Sequence, residues 1–121
     1  MNPKAITEAR RRLQGAWHSD KARTAQNWVF PKKLAAARLK AFRDMFGKNT
    51  WRFARSVCHF EFDGQRSQAK YDILWADKWS VVVVFRYPDA EKCYQLFFEE
   101  DCFYIACGKA GNAEYFRRGE A

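Results

Sequence analysis

The sequence predicts a mainly β protein, an antiparallel up-and-down β-barrel of about eight strands, with an N-terminal helix and a helix between the first two strands. From residue 49 onward, apolar and polar residues alternate with a period of two, in segments that short turns separate. Hydrophobic residues make up 48% of the 121 residues and aromatic residues 17%, which is enough apolar bulk for a folded core. A meander must bury its apolar face, and closure into a barrel also removes both exposed edges.

The first element is a short helix at the amino terminus. Asn2 is suited to cap it, and Pro3 is suited to its first turn. Ile6, Ala9 and Leu13 then follow at helical spacing and form one apolar stripe. We expect this helix to lie over one end of the barrel.

A first strand at residues 14–19 and a second helix follow. Polar residues 20–26 end the strand. Pro31 is suited to open the helix, and Gly47 to close it in the left-handed conformation. Between them, one helical face carries Ala35, Leu39, Phe42 and Phe46. These features predict a helix over residues 31–47.

The alternating segments predict seven more strands, at residues 49–57, 58–63, 67–75, 79–87, 92–98, 102–107 and 113–118. Asp63-Gly64 is a strong hairpin signal between two of them. No evident turn separates 49–57 from 58–63, and the alternative is one bent strand there, which leaves seven strands in total. The first strand is expected to close the barrel beside the last.

The charge is unevenly distributed along the chain. The net charge is +8, and residues 1–55 hold 14 Lys and Arg against 3 Asp and Glu. This asymmetry favours attraction to an anionic partner such as nucleic acid, a phosphate-bearing ligand or an acidic protein. The alternative is a solvated surface that keeps an aromatic-rich protein soluble.

The sequence also bounds the location and the organisation of the protein. No apolar run approaches the ~18 residues of a membrane-spanning helix, and residues 1–15 lack the apolar core of a secretory signal. We therefore expect a cytoplasmic protein without membrane attachment, folded as one domain over residues 1–121. Its four cysteines are then expected to be free thiols.

Two short segments carry a family resemblance. Gly15-Ala16-Trp17 looks like the Gly-x-Trp of a first lipocalin strand, and Arg117-Arg118 ends the last predicted strand. Together with the meander, they resemble the calycin superfamily, in particular small lipocalin-like bacterial domains. The resemblance implies a closed barrel in which a basic residue of the last strand lies over the Trp17 ring, a cation–π contact of ~0.5–2 kcal/mol. Strand parity leaves both Arg117 and Arg118 open for this role.

The sequence shows no catalytic or metal-binding motif. Cys-x-x-Cys is absent, and His18 and His59 are far apart, so we expect neither a metal nor a cofactor. The candidate acid–base residues Glu61, Asp72 and Glu114 alternate with apolar neighbours and are expected to face solvent. We therefore expect a binding protein and not an enzyme.

The leading functional prediction is a small apolar or aromatic ligand inside the barrel. The candidate ligand-binding side chains are Trp51, Phe53, Tyr71, Trp75, Trp79, Val83 and Phe85. The alternative is that these side chains fill the interior. A second hypothesis is nucleic-acid binding, because basic and aromatic residues interleave at 28–33 and 51–55. A third is interaction with an acidic protein or with a second copy, as a homodimer.

Overall fold

A computed structural model of the chain describes residues 2–107 and 111–119. Eight antiparallel strands form a closed barrel in which each strand pairs with its neighbours in chain order and the last pairs with the first. The strands are β1 (Gly15–Ser19), β2 (Asn49–Ala54), β3 (Val57–Phe62), β4 (Gln65–Ala76), β5 (Ser80–Tyr87), β6 (Ala90–Glu99), β7 (Cys102–Cys107) and β8 (Asn112–Arg118). The helices are α1 (Pro3–Leu13), α2 (Lys21–Gln26) and α3 (Ala36–Asp44). The predicted closed up-and-down barrel is confirmed.

The two ends of the barrel carry different elements. The helix α1 leads directly into the start of β1, so it lies at the end where β1 begins. The opposite end, which we call the mouth, is where β1 ends at Ser19 and β2 begins at Asn49. The segment between these two strands contains α2 and α3. The α3 region lies at the mouth, because Phe42 and Phe46 adjoin Asn49 there. The helix α2 lies against the outer side of the barrel, where Arg23 contacts Glu99 and Cys102.

The helix α1 forms as its sequence predicts. The Asn2 side chain accepts a hydrogen bond from the Lys4 amide at 3.0 Å, and Pro3 is the first helical residue. Ala9 and Leu13 are buried in the core, and Ile6 packs against it. The apolar stripe therefore covers one end of the barrel.

Eight strands result because a tight turn separates β2 from β3. Arg55 and Ser56 form this turn, and Arg55 has a φ of +50°. Val57 consequently begins β3, where Cys58 is the side chain buried in the core. The bent-strand alternative is wrong, and the break comes earlier than the predicted boundary between residues 57 and 58.

The two helices between β1 and β2 differ from the prediction. Residues 20–26, expected only to end the first strand, contain α2, which Asp20 caps by accepting from the Arg23 amide at 3.1 Å. This helix is held by β8, because the buried Thr24 hydroxyl accepts from the Tyr115 amide at 2.9 Å. A six-residue helix shows too little apolar periodicity to be recognised in the sequence.

The predicted second helix is shorter than expected. It begins at Ala36 and not at Pro31, because Pro31 starts a turn that the Leu34 amide closes on its carbonyl at 3.3 Å. Gly47 ends the segment that carries α3, as predicted, with a φ of +84°. A Cβ at this position would lie only 2.9 Å from the Lys21 Cβ, which is too close for any larger residue. None of the residues of α3 is buried, whereas Phe46, just after it, is.

Aromatic side chains dominate the centre of the barrel. Phe53, Phe85, Phe103 and Phe116 are each at most 2% exposed. The rings of Phe103 and Phe116 stack with centroids 5.0 Å apart, and both contact Trp51. This density of ring contacts makes the centre a packed core.

Candidate functional site

Five of the predicted ligand-binding residues lie together in the barrel core. They are Trp51, Phe53, Tyr71, Val83 and Phe85, and all five are buried. The Trp51 and Phe85 ring centroids are 5.4 Å apart, and those of Phe53 and Tyr71 are 5.0 Å apart. These side chains therefore occupy the space at the centre of the barrel.

Trp75 and Trp79, in contrast, lie on the outside, which corrects their expected inward position. A bulge between Ile73 and Trp75 inserts one residue into β4, so Ala76 takes the inward place and Trp75 is 41% exposed. Trp79 precedes β5 in a turn, where its amide donates to the Asp77 carboxylate at 2.8 Å, and it is 67% exposed. Neither tryptophan lines the interior.

Arg118 is the residue that covers Trp17. Its guanidinium carbon lies 3.8 Å from the centroid of the indole ring. The same group donates to the carbonyl oxygens of Gln14 and Arg12, both at 2.6 Å. Arg117 faces outward, opposite His18 in the β1–β8 ladder, so the structure resolves the choice that strand parity left open.

Glu114 faces into the barrel mouth, whereas the sequence predicts that it faces solvent. It lies two residues before the buried Phe116 and so shares its inward face. Its Oε2 atom accepts from the Ser19 hydroxyl at 2.9 Å and from the Asn49 amide at 3.1 Å. Parity with Phe116 was the sequence signal for this position. Asp72, by comparison, lies on the outer surface, where Arg86 hydrogen-bonds it and lowers its pKa.

An aromatic cluster at the mouth stands apart from the barrel core. It comprises Trp28, Phe30, Phe42 and Phe46, and we call it the aromatic lid. The Trp28 and Phe46 ring centroids are 5.0 Å apart, and those of Phe42 and Phe46 are 5.5 Å apart. The Val29 amide donates to the Asn112 side chain at 2.8 Å, which ties the lid to the start of β8.

A small pocket lies between the aromatic lid and the barrel mouth, and we call it the mouth pocket. Its volume is about 160 Å³. It is lined by Trp28, Phe42, Met45, Phe46, Asn49, Phe62, Cys107 and Glu114. Burial raises the pKa of the Cys107 thiol, so this side chain acts as a neutral part of the wall. The pocket thus combines apolar walls with one carboxylate and one amide.

A second, larger depression runs over the outer faces of β1 to β4, and we call it the outer groove. Its volume is about 610 Å³. Its charged and titratable lining residues are His18, Arg52, His59, Glu61 and Arg66. Trp51 and Phe53 point away from the outer groove into the core. The basic and aromatic side chains of residues 51–55 therefore do not lie on one surface, contrary to the expectation from the sequence.

The chain matches no protein-family model, no curated protein and no solved structure. Its eight-stranded closed barrel is compatible with a lipocalin-like fold.

The described residues add three further observations. Among residues 2–107 and 111–119, no group of three or more His, Cys, Asp or Glu side chains is arranged to hold a metal ion. No helix within those ranges has both the length and the apolar character needed to cross a membrane. All four cysteines are free thiols, and only Cys93 is exposed.

Proposed function

We propose that this protein binds a small, mostly apolar or aromatic molecule in the mouth pocket. The observation that carries the proposal is a pocket of about 160 Å³ with aromatic walls and a carboxylate held in place by two hydrogen bonds. Ligand pockets of this kind combine apolar lining with a few fixed polar groups. The packed centre of the barrel supports a site at the mouth and not at the centre.

We further infer that the chain is a lipocalin-like member of the calycin superfamily. The support is the Gly15-x-Trp17 segment on β1 and the Arg118 guanidinium over the indole ring. A cytoplasmic location also belongs to the proposal, because free thiols are compatible with a reducing compartment. The proposed site lies at the mouth, whereas the sequence predicts a ligand inside the barrel.

Titration with phenethyl alcohol, a neutral aromatic probe, tests the proposal. We expect saturable shifts of the Trp28 indole N–H resonance, because Trp28 lines the pocket. Phe46→Ala removes one wall and should weaken binding by about tenfold.

The matched control for this test is Phe97→Ala. Phe97 is a half-buried phenylalanine whose ring stacks on Tyr104, and it is not among the residues that line the mouth pocket. It should leave the affinity within about twofold, since it does not touch the ligand. Equal effects of the two substitutions, or no saturation with wild-type protein, would contradict the proposal. Mass spectrometry of molecules that co-purify with the intact protein, beside a heat-denatured control, would identify the natural ligand.

A second candidate function is binding of nucleic acid along the outer groove. Arg52 and Arg66 offer guanidinium donors there, and His18 and His59 lie beside them. The only carboxylate among the lining residues of this groove is Glu61, which Arg66 hydrogen-bonds at 3.1 Å. Such a surface suits contacts with a phosphate backbone.

Binding of a labelled single-stranded oligonucleotide at several salt concentrations tests this second candidate. We expect the affinity to fall steeply as the salt concentration rises. Arg52→Ala should reduce the slope of log affinity against log salt concentration by about one, the value for a single phosphate contact. The control is Arg86→Ala, since Arg86 lies on β5 and is engaged by Asp72 and Glu91. Binding that is independent of salt would exclude this function.

A further inference from the structure

The mouth pocket carries a single carboxylate, which bears on the charge of the ligand that it can bind. Glu114 is the only charged side chain among the described residues that line it. The two hydrogen bonds to its Oε2 atom come from neutral donors, the hydroxyl of Ser19 and the amide of Asn49. These donors orient the carboxylate without neutralising its charge.

The carboxylate keeps capacity to accept a further donor. Its Oε1 atom has one long contact, at 3.5 Å to the Asn49 amide nitrogen. A carboxylate offers about four lone-pair positions, so a third and a fourth donor can still be accommodated. Within residues 2–107 and 111–119, no cationic nitrogen lies within 4.0 Å of this carboxylate.

Four of the side chains that line the pocket together with Glu114 are aromatic. Trp28, Phe42 and Phe46 contact one another with centroids 5.0 to 5.6 Å apart, and Phe62 contributes from β3. The negative faces of such rings attract an organic cation, most strongly when water is excluded. An anionic ligand would meet both the carboxylate and these ring faces unfavourably.

Hydrogen bonds from two other strands fix the position of Glu114. Its three-residue arrangement with Ser19 and Asn49 joins the end of β1, the start of β2 and the start of β8. The Gly47 amide in turn donates to the Ser19 hydroxyl at 3.1 Å, which links the carboxylate to the chain that carries the aromatic lid. A cation bound at this junction would form charge-assisted hydrogen bonds with the oriented carboxylate.

We propose that the ligand of the mouth pocket is a small organic cation, an aromatic or alkyl ammonium whose charged group is held by Glu114 and whose apolar part lies against the aromatic lid. This inference rests on the proposed function and adds the charge of the ligand to it. The pocket, at about 160 Å³, is smaller than the ~300–1,000 Å³ typical of drug-sized ligands, so the cation is a small molecule.

Three probes that share one phenyl ring but differ in charge test the inference. They are phenethylammonium, phenethyl alcohol and hydrocinnamate, each titrated at neutral pH while the Trp28 indole N–H resonance is followed. We expect the cation to bind at least about tenfold more tightly than the alcohol, and the anion to bind most weakly.

Two carboxylate variants assign the preference to Glu114. Glu114→Gln should weaken binding of the cation by about tenfold while changing the affinity for the alcohol by less than about twofold. Glu61→Gln is the matched control, because Glu61 lies in the outer groove and hydrogen-bonds Arg66. It should leave all three affinities unchanged.

The outcomes separate the two proposals. If the alcohol binds as tightly as the cation and Glu114→Gln has no effect on either, the ligand is neutral and the inference is overturned, while the proposed function stands. If none of the three probes shifts the Trp28 resonance of the wild-type protein, both proposals fail. Should Glu114→Gln not fold, the affinity ratio measured with wild-type protein decides the charge of the ligand.

Discussion

Arg118 joins β8 to β1 and to the end of α1 through one guanidinium group. It stacks on the Trp17 indole and donates to two carbonyl oxygens at the junction of α1 and β1. Those carbonyls, of Arg12 and Gln14, lie where the helix ends and its last acceptors lack helical partners. The planar fork of an arginine serves both functions at once, and a lysine cannot reproduce it.

Truncation of Arg118 should therefore destabilise the protein. Arg118→Ala removes the cation–π contact and both hydrogen bonds, and we expect it to lower the free energy of unfolding by about 1–2 kcal/mol. The loss is no larger because the residue is exposed. Urea denaturation followed by tryptophan fluorescence measures this change. Arg117→Ala is the control and should stay within about 0.5 kcal/mol of wild type, since Arg117 points to solvent. Equal losses for both variants would show that Arg118 does not stabilise the closing strands.

At the scale of elements, α3 differs from the other two helices in the described residues, which each bury at least one side chain. None of its own residues is buried, and Phe42 and Met45 remain exposed. Its attachment depends on the rings of the aromatic lid, above all on the buried Phe46. The barrel strands, by contrast, are paired on both sides. An element with few buried contacts opens at a low free-energy cost.

Native-state hydrogen exchange should resolve this difference. We expect the amides of α3 to exchange much faster than those of β5. Phe46→Ala should raise the exchange rates of the α3 amides by about tenfold or more and leave the exchange rates of the β5 amides unchanged. Val29→Ala serves as the control, because Val29 is 67% exposed and should leave both rates unchanged. Uniform acceleration of helix and barrel by Phe46→Ala would mean that they open as one unit.

At the scale of the whole molecule, stability comes from a core that extends through the barrel. Phe85 lies at its centre, fully buried, and its ring contacts those of Trp51, Phe53 and Phe60. The helix α1 completes this core at one end through Leu13. The apolar interior is therefore continuous from α1 toward the mouth, and the mouth pocket lies at its margin.

Phe85 and Trp79, which the sequence predicts to share a ligand site, should respond very differently to substitution by alanine. Phe85→Ala should lower the free energy of unfolding by about 3–5 kcal/mol, because it leaves a cavity in the core. Trp79→Ala should change it by about 0.5 kcal/mol or less, since that ring is 67% exposed. Thermal unfolding followed by calorimetry compares the two. A large loss for Trp79→Ala would contradict the placement of this residue outside the barrel.

Much of the architecture was predictable from local patterns. Alternation of apolar and polar residues identified the strands, and the Asn2-Pro3 start identified α1. Gly47 was recognisable because few other residues tolerate its positive φ. The two candidate partners of Trp17, Arg117 and Arg118, came instead from the resemblance to lipocalin-like barrels. Each of the other signals depends on residues close together in the chain.

Features set by pairing between distant segments could not be read in this way. The bulge in β4 turned Trp75 outward, and the register of β8 against β1 placed Arg118, and not Arg117, over Trp17. Glu114 gained its hydrogen bonds only because β1 and β2 bring Ser19 and Asn49 beside it. Periodicity determines which residues share a face of a strand, but the inside of a barrel and the contents of its mouth depend on how eight strands are aligned.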